Sequence, residues 1–290
     1  MYPAGESGIS VQYVTLDDGL SIRILDSGPA RRQSVVLVHG WGASVYSFSE
    51  TLPVLSAAGF RAIAIDLPGH GLSSKPTNDG AYTTRALSNV VMHTANAMGI
   101  ERFTYVGHSL GGSLGLDLAT RGARAVERLV LLNAIGLGRV LPLPLLKLFS
   151  PRAVNRITPA LLTRRAIDLI LRFACAAPGR PTGRDVEEYW APTQFDEFAW
   201  ACRACIHHAS WARVPATKLR SLRIPVLVIA GGRDLLVRGT LERARLIPGA
   251  RIVMLRGCGH IIMQECATRT NQELLAFLEA GHRGLSQGIK

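Results

Sequence analysis

The chain has 290 residues, of which 48% are hydrophobic, which suits one large globular domain or a domain with an insertion. No apolar run approaches the roughly 20 residues of a membrane-spanning helix, and the opening segment MYPAGESGISVQY lacks the basic and apolar parts of a signal peptide. The formal net charge of +12 would suit an anionic partner, but the arginines are dispersed, which argues against a nucleic-acid partner. We therefore expect a soluble, cytoplasmic protein without stable membrane insertion.

The cysteines are five in number, so a complete disulfide framework is excluded, and we expect reduced thiols. Cys202-Arg-Ala-Cys205 is followed by His207-His208, which are residue types that bind metals. No second CxxC or spaced histidine pair completes a zinc set. We predict no metal and no organic cofactor.

Short apolar runs rich in β-branched residues alternate with longer helical patterns in the first half of the chain, as in βαβ units. The first two runs, 11–16 and 20–26, are joined by Asp-Asp-Gly and predict a hairpin. Six further segments each predict a strand and the loop after it: 34–40, 61–71, 102–109, 128–134, 224–234 and 250–260. Ligands and catalytic groups collect at the carboxyl ends of strands in parallel α/β sheets. We therefore expect the function to lie in these loops.

The strand pattern stops between residue 135 and about residue 215. This segment is punctuated by prolines, and after Pro159 its apolar residues recur at helical spacing: Leu162, Ala166, Ile167, Ile170, Leu171 and Ala174. We interpret residues 136–214 as a mostly helical insertion. Residues 1–135 and 215–290 then form the core domain.

The stretch Tyr105-Val-Gly-His-Ser-Leu-Gly-Gly-Ser113 surrounds Ser109 with glycines at positions 107 and 111, directly after a predicted strand. A sharp turn from a strand into a helix strains the corner residue and crowds the positions two before and two after it. The pattern therefore predicts a nucleophile elbow that presents the Ser109 hydroxyl above the sheet.

A serine hydroxyl needs a base to take its proton, and His260 is our candidate among eight histidines. It lies in Gly-Cys-Gly-His, just past the last predicted strand. His108 adjoins the serine, but neighbouring side chains diverge on an elbow, so we expect it to pack or bond locally. Four others are expected to be structural, solvated or at most pocket-lining: His93, His207, His208 and His282.

The carboxylate that orients the base is predicted to be Asp234, which ends the segment IPVLVIAGGRD and gives the chain order Ser, Asp, His. Asn133 also ends a predicted strand, but it carries no charge to stabilise an imidazolium. Asp66 precedes the serine and is followed by LPGHG, so a role in loop structure is expected for it.

The developing oxyanion needs preorganised donors. His39-Gly-Trp-Gly42 follows a predicted strand and offers the backbone amide of Trp41. Leu110, directly after the nucleophile, offers the second amide. We predict an oxyanion hole formed by Trp41 and Leu110.

These motifs together resemble those of the α/β-hydrolase family, and they extend over nearly the whole chain: HGWG (39–42), DLPGHGLS (66–73), GHSLGG (107–112), GGRD (231–234) and GCGH (257–260). The resemblance implies a central, mostly parallel eight-stranded sheet flanked by helices. It also implies that residues 136–214 form a helical cap over the site.

Haloalkane dehalogenases and epoxide hydrolases of this family carry aspartate at the elbow, so Ser109 argues against both reactions. The resemblance implies a serine carboxylic ester hydrolase that forms an acyl-enzyme, and we expect small to medium hydrophobic acyl chains. Trp41, Ile261 and Ile262 are predicted to contact the substrate. Five cap aromatics are further candidates for the pocket: Trp190, Phe195, Phe198, Trp200 and Trp211.

Several other functions remain open. Meta-cleavage product hydrolases, which break carbon–carbon bonds, look similar, but their oxyanion loop usually carries glycine-proline-glycine where this chain has HGWG. Acyltransferase, lactonase or perhydrolase activity fits the same triad. The segment LPLPLLKLF (141–149) and the basic amphipathic helix after Pro159 would suit a lipase that docks on lipid. A noncatalytic receptor or scaffold is disfavoured by the complete set of residues, and homodimerisation stays open.

Overall fold

The computed structural model describes residues 1–3, 8–28, 33–141, 143–148, 150, 158–177 and 180–286. Parts of the predicted cap therefore lie outside the described residues, including most of the stretch between residues 149 and 157. The segment 141–149 is described only in part.

Eight strands form one sheet, as the motifs implied. The strands are β1 (Ser10–Thr15), β2 (Ser21–Asp26), β3 (Ser34–Val38), β4 (Arg61–Ile65), β5 (Phe103–His108), β6 (Val126–Leu132), β8 (Val226–Gly231) and β10 (Arg251–Leu255). Their order in the sheet is β1-β2-β4-β3-β5-β6-β8-β10. Strand β2 is antiparallel to β1 and β4, and the other neighbouring strands are parallel. All eight predicted strand segments are therefore confirmed.

A separate antiparallel pair, β7 (Arg139–Val140) with β9 (Val237–Arg238), was not predicted. Two residues are too few to give a periodic pattern. The pair joins the beginning of the insertion to the loop that follows Asp234, so the insertion starts close to the predicted acid.

Helices cover both faces of the sheet. Along β3, Val36 and Val38 pack into one buried core layer, whereas Val35 and Leu37 pack into the other. The core helices are α1 (Leu52–Ala57), α2 (Thr84–Ala97), α3 (Leu110–Thr120), α10 (Thr240–Ala244), α11 (Ile262–Glu265) and α12 (Ala267–Ser286). No helix among the described residues is long and apolar enough to cross a membrane.

Apart from β7, the regular structure of the insertion is helical where the structure describes it. It contains α4 (Leu143–Leu148), α5 (Thr158–Leu161), α6 (Arg164–Ala174), α7 (Gly183–Trp190) and α8 (Asp196–His208), and α9 (Ala216–Arg220) follows it. Threonines begin two of these helices: Thr163 accepts a hydrogen bond from the amide of Ala166, and Thr182 forms a capping box with Asp185. Local sequence thus sets where α6 and α7 start.

Buried polar contacts attach α7 to the core. The hydroxyl of Tyr46 donates to Asp185 Oδ1 (2.8 Å), and Arg180 Nη1 donates to the same oxygen (2.7 Å). The backbone amide of Tyr2 donates to Glu188 Oε2 (2.9 Å). The insertion is therefore held by specific hydrogen bonds as well as by apolar packing.

A disulfide bond joins Cys258 and Cys266, whose Cα atoms are 6.2 Å apart. The expectation that all five thiols are reduced is therefore wrong for this pair. An odd number of cysteines excludes only a complete framework, and the turn from β10 into α11 brings these two residues together. Cys175, Cys202 and Cys205 are free.

Candidate active site

Ser109 lies at a strained corner between β5 and α3, with φ 52° and ψ −112°. A Cβ at Gly107 would lie 2.4 Å from the carbonyl oxygen of Gly111. A Cβ at Gly111 would lie 2.2 Å from the carbonyl oxygen of Val38. Only glycine fits at both positions, which is why the chain can turn from strand to helix at Ser109.

Three of the predicted site residues meet above the carboxyl ends of the strands. His260 Nε2 lies 3.0 Å from Ser109 Oγ, and His260 Nδ1 lies 2.8 Å from Asp234 Oδ2. Because a carboxylate only accepts, Nδ1 carries the proton and Nε2 is free to accept from the serine hydroxyl. The other oxygen, Asp234 Oδ1, accepts from the amides of Leu236 (2.8 Å) and Val237 (3.0 Å). All three side chains are buried.

Asn133, which is not our predicted acid, connects the loops that carry the predicted acid and the predicted base. Its Nδ2 donates to the carbonyl oxygens of Gly259 (3.0 Å) and His260 (2.8 Å). Its Oδ1 accepts from the amide of Gly231 at the end of β8 (2.9 Å). Asn133 has a φ of 43°, a region in which asparagine is one of the enriched residues. These three hydrogen bonds of the Asn133 side chain all go to backbone groups.

The insertion also contacts the base directly. The amide of His260 donates to the carbonyl oxygen of Ala174, the last residue of α6 (2.7 Å). A Cβ at Gly259 would lie 2.5 Å from that same oxygen, so glycine is needed for this close approach. The position of His260 therefore depends on α6.

His108 bonds to the base and not to its own neighbours in the sequence. Its Nε2 donates to the carbonyl oxygen of His260 (2.9 Å), and the two rings are 4.8 Å apart. Burial, together with the charge that His260 can acquire, lowers the pKa of His108 well below its ordinary value. A neutral His108 adds no positive charge beside the imidazolium that would form on His260.

Asp66 and His39 organise the loops after β3 and β4. Asp66 accepts hydrogen bonds from the amides of Val45 (2.7 Å) and Leu72 (3.0 Å), which fits the structural role predicted for it. His39 Nε2 accepts from the amide of Leu67 (3.0 Å), and burial lowers the pKa of His39 to about 4. His39 is therefore a neutral acceptor that joins the predicted oxyanion loop to the loop after β4.

The amides of Trp41 and Leu110 have no acceptor within the described part of the chain. The side chain of Trp41 is engaged elsewhere: its indole Nε1 donates to the carbonyl oxygen of Cys202 on α8 (2.9 Å). Its ring packs edge-on against Trp211 at 6.3 Å. Trp41 can thus offer a backbone donor while its side chain fixes the predicted oxyanion loop to the insertion.

A cavity of about 470 Å³ contains Ser109 and His260 in its wall. Trp41 and Ile261 line it, as predicted for substrate contacts. Ile262 does not: it is fully buried in a core layer, so its predicted substrate contact is corrected to a packing role. Ile261 packs in the same layer, but it also reaches the cavity wall.

Of the five cap aromatics, Phe198 and Trp211 line the cavity. The other three pack elsewhere: Trp190 stacks under the guanidinium of Arg164, Phe195 lies under the amino group of Lys75, and Trp200 packs against Tyr82. Sequence reasoning missed several lining residues, among them Ile167, Leu171, Tyr189, Arg203, Leu236 and Val237. The helical spacing of Phe198, Cys202 and Ile206 could have indicated the face of α8 that lines the cavity.

The environment of the Cys202-Arg-Ala-Cys205 segment disfavours metal binding. Burial raises the pKa of Cys202 to about 12, which disfavours the thiolate that binds metals. His207 bonds to Ser150, and His208 pairs with Asp79. Among the described residues, no three His, Cys, Asp or Glu side chains converge in a way that could hold a metal ion.

Comparison with known proteins agrees with this architecture. The sequence model of the alpha/beta hydrolase family matches residues 35–273, so the chain belongs to that family. It is 30% identical over 272 residues to the dihydrolipoyllysine-residue acetyltransferase component of the acetoin cleaving system of Pseudomonas putida, covering 90% of this chain and 67% of that protein.

Two solved structures share the fold. Cfl2 from Burkholderia cenocepacia has a TM-score of 0.82 at 24% identity, covering 93% of this chain and 96% of that one. A meta-cleavage product hydrolase from Pseudomonas fluorescens IP01 has a TM-score of 0.79 at 21% identity, covering 95% of this chain and 100% of that one. The family and the fold define a hydrolase architecture, within which several reactions are known.

Proposed function

We propose that this protein is a serine hydrolase that cleaves carboxylic esters with small to medium hydrophobic acyl chains. The observation that carries the proposal is the hydrogen-bonded series from Ser109 through His260 (3.0 Å) to Asp234 (2.8 Å) in the wall of an apolar cavity. This arrangement activates a serine that could not otherwise act as a nucleophile at neutral pH.

In the first half-reaction, Ser109 Oγ attacks the ester carbonyl carbon while His260 Nε2 accepts the hydroxyl proton. Asp234 stabilises the imidazolium that results. The amides of Trp41 and Leu110 donate to the oxyanion of the tetrahedral intermediate. The intermediate collapses as His260 returns its proton to the leaving alcohol oxygen, and the acyl group stays on Ser109.

In the second half-reaction, His260 takes a proton from a water molecule, whose oxygen attacks the acyl carbon. The new tetrahedral intermediate uses the same two amides. It collapses when Ser109 Oγ leaves and recovers the proton from His260. The carboxylic acid product is then released.

The expected substrate size follows from the cavity. Its volume of about 470 Å³ lies within the range of small-molecule sites, and side chains such as Ile167, Leu171 and Phe198 make its wall mainly apolar. Such a wall suits short or medium acyl chains.

The test is hydrolysis of p-nitrophenyl esters from acetate to palmitate by the wild type and Ser109→Ala. We expect rapid turnover of the shorter esters and a loss on the order of 10⁶ in kcat in the variant, as for other serine nucleophiles. Ser113→Ala, on the same helix and also buried, is the matched control and keeps activity. Folded wild-type protein that turns over none of these esters would contradict the proposal.

The same triad would serve other acyl and carbon–carbon chemistry, and separate assays distinguish these functions. Turnover of ring-fission dienoates without ester hydrolysis would favour carbon–carbon bond hydrolysis. Transfer of the acyl group to an added thiol or alcohol in preference to water would favour an acyltransferase, and ring opening of lactones would favour a lactonase. A serine-directed phosphonate that leaves Ser109 unlabelled would favour a noncatalytic role.

A lipase that acts at an interface is a second candidate because of an exposed apolar face on α6. Leu169, Ile170 and Phe173 are each more than half exposed, and Ile170 also lines the cavity. Such a face could dock on lipid beside the cavity. The rate should then rise when the substrate passes its micellar concentration, and an unchanged rate would exclude this candidate.

A further inference from the structure

Glu265, the last residue of α11, carries a half-buried carboxylate that joins the loop of His260 to the insertion. Its Oε1 accepts a hydrogen bond from the amide of Ile261 (3.1 Å), the residue directly after His260. Its Oε2 accepts from the amides of Ala176 (2.7 Å) and Ala177 (2.9 Å), just past the end of α6. One side chain thus connects segments that are 88 and 89 residues away from it to the loop in which it lies.

These hydrogen bonds reinforce a direct contact between α6 and the same loop. The amide of His260 donates to the carbonyl oxygen of Ala174, the last residue of α6 (2.7 Å). Glu265 holds the next amide on one side of this contact and two amides just beyond it on the other side. Hydrogen bonds from backbone amides to a carboxylate are about twice as strong as those between neutral groups, so together they resist separation of α6 from the loop.

A local role at the start of α11 does not account for this geometry. Ile261 immediately precedes α11, and a carboxylate on its amide alone would be an ordinary contact at a helix N-terminus. The second oxygen of Glu265 instead binds amides of the insertion. Glu273 on α12 shows the ordinary case of a glutamate in this region, since it forms a partly exposed ion pair with Arg251.

We propose that Glu265 is a positioning residue for the reaction at Ser109: its carboxylate fixes the loop of His260 to the end of α6 and so holds the imidazole at hydrogen-bond distance from the serine. This inference rests on the proposed serine chemistry. His260 Nε2 lies 3.0 Å from Ser109 Oγ, and displacing a reacting group by about 1 Å can lower a rate about 100-fold. Because α6 also lines the cavity through Ile167 and Leu171, the same carboxylate connects the substrate-binding wall to His260.

The experiment measures Glu265→Gln, in which one oxygen is replaced by an amide nitrogen that donates and cannot accept. We expect kcat for p-nitrophenyl esters to fall by about 10- to 100-fold. KM should change little, because the apolar side chains of the cavity wall are all retained. Glu273→Gln, which breaks the ion pair with Arg251, is the matched control and should keep both constants.

Labelling of Ser109 by a small serine-directed phosphonate separates this inference from ester hydrolysis. The labelling rate depends on the activation of Ser109 by His260 and needs no ester, so it should fall in Glu265→Gln by the same factor as kcat. A wild type that is labelled but cleaves no ester would reject ester hydrolysis, and the two labelling rates would still decide the role of Glu265. A wild type that is neither labelled nor active would overturn both proposals.

Wild-type kcat and labelling rate in folded Glu265→Gln would overturn the proposal. A rise in KM alone, or a loss of stability in urea with both rates unchanged, would show a merely structural role and would also overturn it. If Glu265→Gln does not fold, Ala176→Pro decides the outcome, because it removes one of the three amide donors. Cys175 already has the extended backbone that a following proline requires, and both rates should again fall, whereas unchanged rates would contradict the proposal.

Discussion

Ser109, His260 and Asp234 are each positioned by contacts other than the hydrogen bonds that join the three side chains. Glycines at 107 and 111 allow the turn at Ser109, two amides hold one oxygen of Asp234, and Asn133 holds the carbonyl oxygen of His260. A catalytic geometry must be held within a few tenths of an ångström to be effective. These supporting contacts therefore determine whether the three side chains can act together.

Ile261 and Ile262 provide a test at the scale of single residues because they share a buried core layer but only Ile261 also lines the cavity. Ile261→Ala enlarges the cavity and should shift the preferred acyl chain towards longer esters, whereas Ile262→Ala should leave this preference unchanged. Both substitutions remove packing from the core layer, and Ile262→Ala should lower the free energy of unfolding by about 2 to 5 kcal/mol.

Chain-length profiles and urea unfolding of both variants check this prediction. An equal shift in chain-length preference for the two variants would contradict the prediction that only Ile261 contacts the substrate.

At the scale of elements, α6, α7 and α8 are coupled to the site by different means. The carbonyl oxygen of Ala174 at the end of α6 binds the amide of His260, and α8 binds the indole of Trp41 through Cys202. The buried carboxylate of Asp185 joins α7 to Tyr46 and Arg180. Loosening any of these helices should therefore disturb His260 or the loops after β3, although none of the helices carries Ser109, His260 or Asp234.

Asp185 makes the stability of this attachment dependent on pH. Burial alone would raise its pKa, but hydrogen bonds from Thr182, Arg180 and Tyr46 outweigh burial and hold the pKa below its ordinary value. The stabilisation that the ionised Asp185 carboxylate gives the folded protein is therefore complete above about pH 4, the ordinary pKa of aspartate. It is lost as the pH falls through the lower pKa that Asp185 has in the folded state.

Asp185→Asn should be less stable than the wild type by about 1 to 3 kcal/mol at pH 7, and the difference should shrink below about pH 4. Urea unfolding between pH 7 and pH 3 measures this. Asp168→Asn, which breaks an exposed ion pair with Arg172, is the control and should change stability by less than about 1 kcal/mol. A difference that grows in acid would contradict the prediction.

At the scale of the whole molecule, a cross-link and a buried core layer hold the last strand, the loop that carries His260 and α12 together. The disulfide from Cys258 to Cys266 spans the loop that carries His260, and α11 and α12 begin within or directly after it. The loop is short, so the loop-closure contribution to stability is modest, about 2 to 3 kcal/mol.

Thiol counting tests the cross-link. Unfolded, unreduced protein should react with three equivalents of a thiol reagent and reduced protein with five, since Cys175, Cys202 and Cys205 are free. The folded protein should react slowly because burial raises the pKa of Cys175 and Cys202 to about 12.

Replacing both Cys258 and Cys266 with serine should lower the free energy of unfolding by about 2 to 3 kcal/mol. Five reactive thiols in the unreduced, unfolded protein would show that the bond is absent.

The sequence by itself determined the alternation of strands and helices, the elbow at Ser109 and the chain order of the three predicted site residues. These features follow from local constraints: side-chain period, glycine spacing around one residue, and polar loops at the ends of apolar strands. The tertiary structure decided the rest, including the roles of Asn133 and His108 and the placement of Ile261, but not Ile262, in the cavity wall. Each of these depends on contacts between segments far apart in the chain, or on which side of an element faces the cavity, and no local spacing encodes such contacts.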